Sequence, residues 1–182
     1  MHGLGDTAEG WVDAARIWSR DFPSTRFILP TAKVQPVTIN MGAPMPSWYD
    51  IKSLDSSRLE TTAEGIEESA GRIKQIVAEE MASTGIDKKD IVLAGFSQGG
   101  AMSYWVGLQD EEESYAGVVA MSGYLPKASS FRLSKAAATS TPVIHCHGDS
   151  DPMVASEAAV ATMDHLERAG LKDTTFIMWG AR

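Results

Sequence analysis

The chain has 182 residues, of which 43% are hydrophobic and 22% charged, and its formal net charge at pH 7 is -8. This length suits one domain with a packed core, and the apolar content excludes a largely disordered chain. The acidic net charge and the absence of clustered Lys and Arg exclude a nucleic-acid partner. Because the sequence has no long apolar run, we predict no membrane-spanning helix and no signal peptide. Contact with a membrane is expected to be transient and at its surface.

The chain opens with a glycine-bearing turn, His2-Gly3-Leu4-Gly5-Asp6, ahead of a helical pattern. Trp11, Ala15 and Trp18 recur at steps of four and three, which predicts one apolar face of a helix.

Two short strands and a loop are predicted next. Arg26–Leu29 is an apolar run closed by Pro30, and Val37–Asn40 is a second strand candidate. Glycine and proline follow at once, so residues 41–50 are predicted to form an irregular loop. This loop carries four large side chains: Met41, Met45, Trp48 and Tyr49.

The clearest helix is predicted to start near Ser57, whose spacing to Glu60 is that of a capping box. Gly85 is expected to end it. Apolar residues recur between these points at steps of three and four: Leu59, Ala63, Ile66, Ala70, Ile73, Val77 and Met81.

Strand-length apolar runs alternate with helical patterns in the second half of the chain. The predicted strands are Ile91–Ala94, Ala116–Met121, Pro142–His147 and Thr174–Trp179. Helices are predicted from the residues after Ala94 to about Leu108, and over Ala155–Ala169, where Gly170 ends the pattern. This alternation predicts an α/β fold, with a mostly parallel central sheet and flanking helices, in a single domain over residues 1–182.

Gly95-Phe96-Ser97-Gln98-Gly99 matches the nucleophile-elbow pattern, in which a serine stands on a sharp turn between a strand and a helix. Glycines two positions before and after the serine suit this turn, because a Cβ there would collide with strained backbone. The predicted strand leads in, and small residues lead into the helix. The alternative is a phosphate-binding loop, but no lysine follows the glycines. We therefore predict that Ser97 is a nucleophile.

The stretch His145-Cys146-His147-Gly148-Asp149-Ser150-Asp151-Pro152 ends a predicted strand, where α/β sheets present catalytic groups. An aspartate at this point can orient a histidine base, and it follows Ser97 in the chain order of this type of hydrolase. We assign the acid role to Asp151 and a turn-forming role to Asp149.

Side chains of metal-ligating type occur together only at His145, Cys146 and His147, and no further cluster completes a metal shell. Packing inside the protein is the preferred interpretation, so we expect no metal and no cofactor. Cys146 is the only cysteine, which excludes an internal disulfide and fits a reducing, cytoplasmic compartment. The oligomeric state is not predicted.

Because a nucleophile elbow is predicted downstream, the opening turn is a candidate part of an oxyanion hole. A glycine-bearing turn beside an elbow can direct a backbone N–H at the substrate oxygen, and the second donor of such an oxyanion hole is the N–H of Gln98. Without the elbow, the opening would be an ordinary turn before a helix.

Several motifs in order, over nearly the whole chain, carry a specific resemblance. They are His2-Gly3-Leu4-Gly5-Asp6-Thr7, Val37-Thr38-Ile39-Asn40-Met41-Gly42, Pro46-Ser47-Trp48-Tyr49-Asp50, the elbow with Gly99-Gly100-Ala101, Met121-Ser122-Gly123 and His147-Gly148-Asp149-Ser150-Asp151-Pro152. With these motifs the chain resembles the acyl-protein thioesterase group of the phospholipase/carboxylesterase family of α/β-hydrolases.

This resemblance implies hydrolysis of fatty acyl thioesters or oxygen esters: S-acylated cysteines on proteins, lysophospholipids or small aryl esters. It implies Ser97 as nucleophile, Asp151 as triad acid, and the N–H groups of Leu4 and Gln98 as the oxyanion hole. The family's acyl channel corresponds to the loop with Met41, Met45 and Trp48, which are the candidate substrate-binding residues. Equally, methionine and tryptophan there can belong to the core.

A histidine base is needed to activate the serine, and in the family it stands in a loop after the last strand. The only histidine after Asp151 is His165, in the middle of a predicted helix and a poor candidate. The family also has a strand leading into the opening turn, where Met1 stands here. We therefore expect a domain truncated at both ends, without an N-terminal strand and the C-terminal histidine loop and helix. The alternative is an inactive homologue that binds an acyl chain or a protein.

Overall fold

A computed structural model describes residues 1–53 and 59–180. Its strands are β1 (Val34–Val37), β2 (Ala43–Pro46), β3 (Val92–Phe96), β4 (Gly117–Met121), β5 (Val143–Gly148) and β6 (Thr174–Trp179). The last four form a parallel sheet with the order β3-β4-β5-β6. The helices are α1 (Val12–Asp21), α2 (Ile66–Thr84), α3 (Gln98–Gly107), α4 (Lys135–Ser140) and α5 (Ser156–Arg168). The four strands predicted in the second half are thus confirmed, with ends that differ by at most two residues.

The strand register aligns the carboxyl ends of the parallel sheet. Phe96 pairs with Met121, Met121 with Cys146, and Gly148 with Trp179. The turns that carry functional side chains therefore emerge at one edge of the sheet, as expected for parallel strands. Met1 extends the pairing beyond β3, because its amino group donates to the Ala94 carbonyl (2.7 Å) and its carbonyl accepts from Phe96 N–H (3.0 Å).

One face of the sheet lies against the core. Leu93, Val118 and Val143 on this face are buried, and they alternate with exposed Val92 and Ile144 on the opposite face. All ten residues of α3 are buried. The residues 99–101 that follow the first position of this helix have little or no side chain, which lets the helix approach the sheet closely.

The long helix α2 begins at Ile66, later than predicted. Ser57 lies outside the described residues, whereas Leu59 and Ala63 lie before the helix. Ala63 is fully buried without being helical and has a φ of 45°. The apolar spacing upstream of Ile66 therefore reflects burial of separate loop residues. The predicted end is confirmed, since Gly85 adopts the left-handed conformation and its N–H bonds to the Met81 carbonyl.

Two of the early strand predictions are wrong. Residues 26–29 form no strand, and Phe27 packs its ring against Trp18 of α1 at 6.1 Å. Residues 38–40 form a short 3-10 helix, because the Asp50 carboxylate accepts bonds from both the N–H and the hydroxyl of Thr38, each at 2.7 Å.

The predicted irregular loop 41–50 contains a strand. β2 pairs antiparallel with β1, and Pro36 lies opposite Pro44. Neither proline can donate a hydrogen bond, and a two-stranded ribbon tolerates such a pair because it has free edges. None of the helices within the described ranges has the length and apolarity that crossing a bilayer requires.

Candidate active site

Ser97 occupies the turn between β3 and α3 with a φ of 52° and a ψ of -115°. This is a strained conformation for a residue with a Cβ, and strain of this kind concentrates at functional sites. The turn is fixed on both sides: Ser97 N–H donates to the Met121 carbonyl (2.8 Å), and the Ser97 carbonyl accepts from Ala101 N–H (3.1 Å). The side chain is half-buried, so its hydroxyl is not enclosed in packed hydrocarbon.

The two glycines of the elbow have the steric role that the sequence predicts. A Cβ on Gly95 would overlap the Gly99 carbonyl, and a Cβ on Gly99 would overlap the Met1 carbonyl. The neighbours are backbone atoms, which cannot turn aside. Glycine at 95 therefore lets α3 start this close to β3, and glycine at 99 lets the N-terminal residues Met1 and His2 lie against α3.

We expect Gly95→Ala to lower the free energy of unfolding by about 3 kcal/mol or more, because the new methyl group collides with backbone. Gly71→Ala, on an exposed face of α2 with open space at its Cβ, is the matched control. It should raise the free energy of unfolding by about 1 kcal/mol, the helix-propensity difference between the two residues. Urea titrations of both variants measure the pair, and equal midpoints would contradict this account of the elbow.

Asp151 lies in the turn that follows β5. Its Oδ1 accepts the backbone N–H groups of Met153 (2.8 Å) and Val154 (2.9 Å). Its Oδ2 lies 3.7 Å from Nε2 of His147. One carboxylate oxygen is thus held by backbone donors, which leaves the other to orient a partner.

Asp149 has different surroundings in the same turn. Its Oδ1 accepts from the hydroxyl of the adjacent Ser150 (2.8 Å), and its N–H donates to the Trp179 carbonyl at the end of β6 (2.9 Å). These bonds fit the turn-forming role predicted for Asp149. Asp151 remains the better candidate for the acid.

Ser122 links the elbow to the acid turn. It follows Met121, whose carbonyl holds Ser97, and its hydroxyl is close enough to Asp151 to help lower the pKa of that carboxyl. Its own N–H donates to the Cys146 carbonyl (2.8 Å). No role for Ser122 was predicted, although its position directly after an apolar strand is the signal that had identified the other two turns.

The carboxyl group of Asp151 is stabilised in its charged form. Partial burial on its own would raise its pKa, but the N–H bonds from Val154 and Met153, the Ser122 side chain and nearby His147 together lower the pKa below its usual value. The group is therefore ionised at neutral pH, as an acid that orients a histidine must be.

The opening turn is anchored beside the elbow. A Cβ on Gly3 would lie 3.6 Å from Ser97 Cβ, so this turn and the serine are in contact. The His2 ring holds the turn, because Nδ1 donates to the Gly3 carbonyl (2.6 Å) and Nε2 accepts from Ala32 N–H (2.9 Å). Gly5 N–H donates to the Pro46 carbonyl at 2.9 Å.

The two predicted oxyanion donors flank this contact. Neither the N–H of Leu4 nor that of Gln98 donates a hydrogen bond to another residue in the described ranges. The Gln98 side chain is fully engaged below them: its Oε1 accepts from Trp48 N–H (2.9 Å) and its Nε2 donates to the Tyr49 carbonyl (2.7 Å). Gln98 thereby ties the start of α3 to the segment that follows β2.

The three predicted acyl-binding residues lie in different environments. Met41 is 98% exposed at the tip of its loop, and Met45 is half-buried, with its sulfur 3.7 Å from the Cβ position of Gly5. Trp48 has no exposed surface and donates from Nε1 to the His2 carbonyl (2.9 Å). The core alternative therefore describes Trp48 better, whereas Met45 lies beside the opening turn and is partly exposed.

The four histidines are all in the described residues, and none of them forms a hydrogen bond with Ser97 there. Both ring nitrogens of His2, His145 and His147 are engaged by other groups. His165 is half-buried on α5 against Phe131, at 6.5 Å between ring centroids. Gly180 follows β6 and its Cβ position is 3.1 Å from Asp149 Oδ2, so the end of β6 reaches the acid turn.

The alternative of a metal site at the end of β5 gains no support. His145 and His147 bond to each other (3.1 Å) and are buried, as the packing interpretation predicts. Over residues 1–53 and 59–180, no group of three or more His, Cys, Asp or Glu side chains is arranged to hold a metal ion.

The chain is similar in sequence and in fold to proteins of one known family. A family model described as Phospholipase/Carboxylesterase matches residues 1–181. Acyl-protein thioesterase 1 homolog 1 of Dictyostelium discoideum is 40% identical over 171 residues, which cover 93% of this chain and 75% of that protein. The crystal structure of Arabidopsis thaliana SOBER1 matches with a TM-score of 0.83 at 27% identity, over 100% of this chain and 86% of that one. Zea mays acyl-protein thioesterase 2 matches with a TM-score of 0.76 at 25% identity, over 100% and 82%. The fold is therefore that of an α/β-hydrolase.

Proposed function

Because the chain belongs to the phospholipase/carboxylesterase family of hydrolases, we propose that it cleaves fatty acyl esters or thioesters through an acyl-Ser97 intermediate. The observation that carries this proposal is the position of Ser97. Its strained turn lies at the same sheet edge as the charged Asp151, and the two are linked through Met121 and Ser122. A hydroxyl raised in this way is what acyl transfer to serine requires.

The reaction follows from these positions. Ser97 Oγ attacks the acyl carbonyl carbon while a base takes its proton, and the N–H groups of Leu4 and Gln98 stabilise the oxygen that becomes negative. The carbon–sulfur or carbon–oxygen bond then breaks, and the base returns the proton to the leaving thiol or alcohol. Water attacks the acyl-serine in the same manner and releases the fatty acid.

The base is the component that these 182 residues do not supply, since all four histidines have other surroundings. The end of β6 contacts Asp149 in the acid turn, and we propose that a histidine attached there serves Asp151 and Ser97. The family pattern of a glycine-containing, histidine-bearing loop after the last strand fits this position. For the chain without such a histidine, we expect hydrolysis only about 10³–10⁴-fold above the uncatalysed rate.

The substrates that we propose are S-acylated proteins, lysophospholipids or small acyl esters, with the cytoplasm as the place of action. Met45 beside the opening turn supports an acyl-binding role, since a flexible thioether side chain adapts to an alkyl chain. We propose that Met41, which is exposed at the loop tip, contacts the acyl chain of the substrate or a membrane surface.

A second function is binding of an acyl chain without turnover, for which exposed Met41 and half-buried Met45 would supply apolar contacts and no base is needed. Both functions use the same surface and differ only in whether Ser97 reacts. The test therefore has to supply the base.

The proposed function is tested with a form of the chain to which a Gly-x-x-His segment is added after Arg182, the base-carrying form. We expect it to hydrolyse a fatty acyl thioester peptide and an acyl aryl ester up to about 10⁶-fold faster than the 182-residue chain, because a serine without its base contributes little to the rate. Imidazole in solution should partly replace the segment. If neither addition raises the rate while the protein still binds a fatty acid, the binding function is supported and the hydrolase proposal is rejected.

A further inference from the structure

A chain of buried polar side chains runs from the helix behind Ser97 to the acid turn. The Tyr104 hydroxyl on α3 lies 2.6 Å from Nδ1 of His145 on β5. Nε2 of His145 lies 3.1 Å from Nδ1 of His147, and Nε2 of His147 lies 2.8 Å from the Val154 carbonyl. All three side chains are buried, with at most 1% of their surface exposed. The catalytic scheme proposed above uses none of them.

The direction of these hydrogen bonds follows from their last acceptor. A carbonyl oxygen only accepts, so Nε2 of His147 must carry a proton and its Nδ1 must accept in the neutral ring. Nε2 of His145 is then the donor to His147, and Nδ1 of His145 accepts from the Tyr104 hydroxyl. Each donor and acceptor in the chain is satisfied when both rings are neutral and protonated on Nε2.

At the end of this series of hydrogen bonds, His147 holds Val154, which in turn holds Asp151. His147 fixes the Val154 carbonyl, and the Val154 N–H is one of the two backbone donors to Asp151 Oδ1. Val154 itself is buried with Tyr124 and Ala158. The positions of Asp151 and His147 are thus coupled through a single residue.

We infer that the hydrogen-bonded side chains of Tyr104, His145 and His147 position the Asp151 carboxylate, with His147 as the positioning residue. These hydrogen bonds keep one oxygen of Asp151 on backbone donors, so that the other oxygen is left for the base. This inference rests on the proposed function only in calling Asp151 the acid. The hydrogen bonds themselves do not depend on that function.

The surroundings favour a neutral His145 ring. From α5, the Met163 sulfur lies 3.8 Å from the Tyr104 hydroxyl, and from β6 the Phe176 ring stands edge-on to His145 at 5.4 Å. The titratable neighbours of Tyr104, His145 and His147 are Cys146 on β5 and Asp151 in the acid turn. Burial, with a smaller effect of the neighbouring His147, lowers the pKa of His145 to about 3.

The first test reads the protons directly on the unmutated chain. Nitrogen NMR of the imidazole rings between pH 5 and 8 should show a proton on Nε2 of both rings and a neutral His145 throughout. A ring protonated on Nδ1 alone, or a charged His145 at pH 7, would overturn the inference. This measurement needs no variant, so it holds even where a substitution prevents folding.

The second test follows the titration of the Asp151 carboxyl carbon by NMR in two variants of His147. His147→Leu removes the donor to Val154, and we expect the pKa of Asp151 to rise toward its usual value. His147→Gln retains a donor and an acceptor and should keep the pKa of Asp151 low. Tyr115→Phe, a buried tyrosine at the opposite end of the sheet, is the control and should not change the titration.

An unchanged titration in His147→Leu, or an equal rise in both His147 variants, would overturn the positioning role. Neither test uses turnover, so its failure is separate from that of the proposed function. Hydrolysis that persists without Ser97 would reject the proposed function, whereas the ring protonation and the Asp151 titration would be unaffected.

Discussion

Ser97→Ala is expected to return the base-carrying form to the hydrolysis rate of the unmodified 182-residue chain. A serine and its base act as one unit, so removing either costs about as much as removing both, up to about 10⁶-fold in kcat for a fully assembled triad. The residual rate comes from oxyanion stabilisation and binding, which Ser97→Ala leaves in place. Initial rates with an acyl aryl ester measure the effect.

The same substitution in the chain without an added histidine provides the control. We expect Ser97→Ala to change its rate very little, because a serine without a base contributes little. A large loss in that background would show that one of the four histidines already serves Ser97, with His165 as the first candidate. A base-carrying form that keeps its rate without Ser97 would show that another group is the nucleophile.

Asp151→Asn is expected to lower kcat of the base-carrying form by about 10⁴-fold, with a small change in KM. The amide cannot stabilise the charged histidine and favours the wrong ring tautomer, which is the effect of this substitution in serine hydrolases. Since the pKa of Asp151 is lowered in the folded protein, its charge also contributes stability that is lost as pH falls through that pKa. The asparagine variant should therefore lose less stability than the parent on acidification.

Asp149→Asn is the matched control in the same turn. Asp149 bonds to Ser150 and its N–H to Trp179, so the amide can keep these contacts, and we expect a change in kcat of less than about tenfold. If the two substitutions exchanged their effects, the acid would be Asp149 and the assignment made from the geometry would be wrong.

The elements near the elbow could be predicted from the sequence because local rules determine them. A buried parallel strand is a short apolar run, and glycines flank Ser97 for a steric reason that does not depend on distant residues. The candidate acid, Asp151, was predicted by the same reasoning, since parallel strands bring their carboxyl ends to one edge. The sequence also predicted separate roles for Asp149 and Asp151, and the hydrogen bonds of the turn fit that assignment.

The predictions that failed depend on contacts between distant parts of the chain. Residues 38–40 leave the strand conformation because Asp50 caps Thr38, and no local pattern encodes that contact. The start of α2 was misplaced because Ala63 is buried from a loop, where its spacing imitates a helix. The surroundings of Trp48, a candidate for either substrate or core, are likewise set by a distant residue, since its ring is buried and bonds to the His2 carbonyl.

The hydrogen bonds of the buried histidines were also only partly predictable from the sequence. Alternation in β5 puts His145 and His147 on one face, which the sequence does indicate. That Tyr104 of α3 meets His145, and that His147 meets Val154, follows only from how helix and turn pack on the sheet. Packing of the histidines was therefore predicted, whereas their connection to the acid was not.

The central claim is that the hydroxyl of Ser97 is the nucleophile, and covalent capture tests it most directly. The base-carrying form is treated with a fluorophosphonate, digested, and the modified peptide is sequenced by mass spectrometry. We predict a single adduct on Ser97, formed faster than in the chain without the added histidine and absent from Ser97→Ala. An adduct on Ser122 or Ser150, or undiminished labelling of Ser97→Ala, would contradict the account.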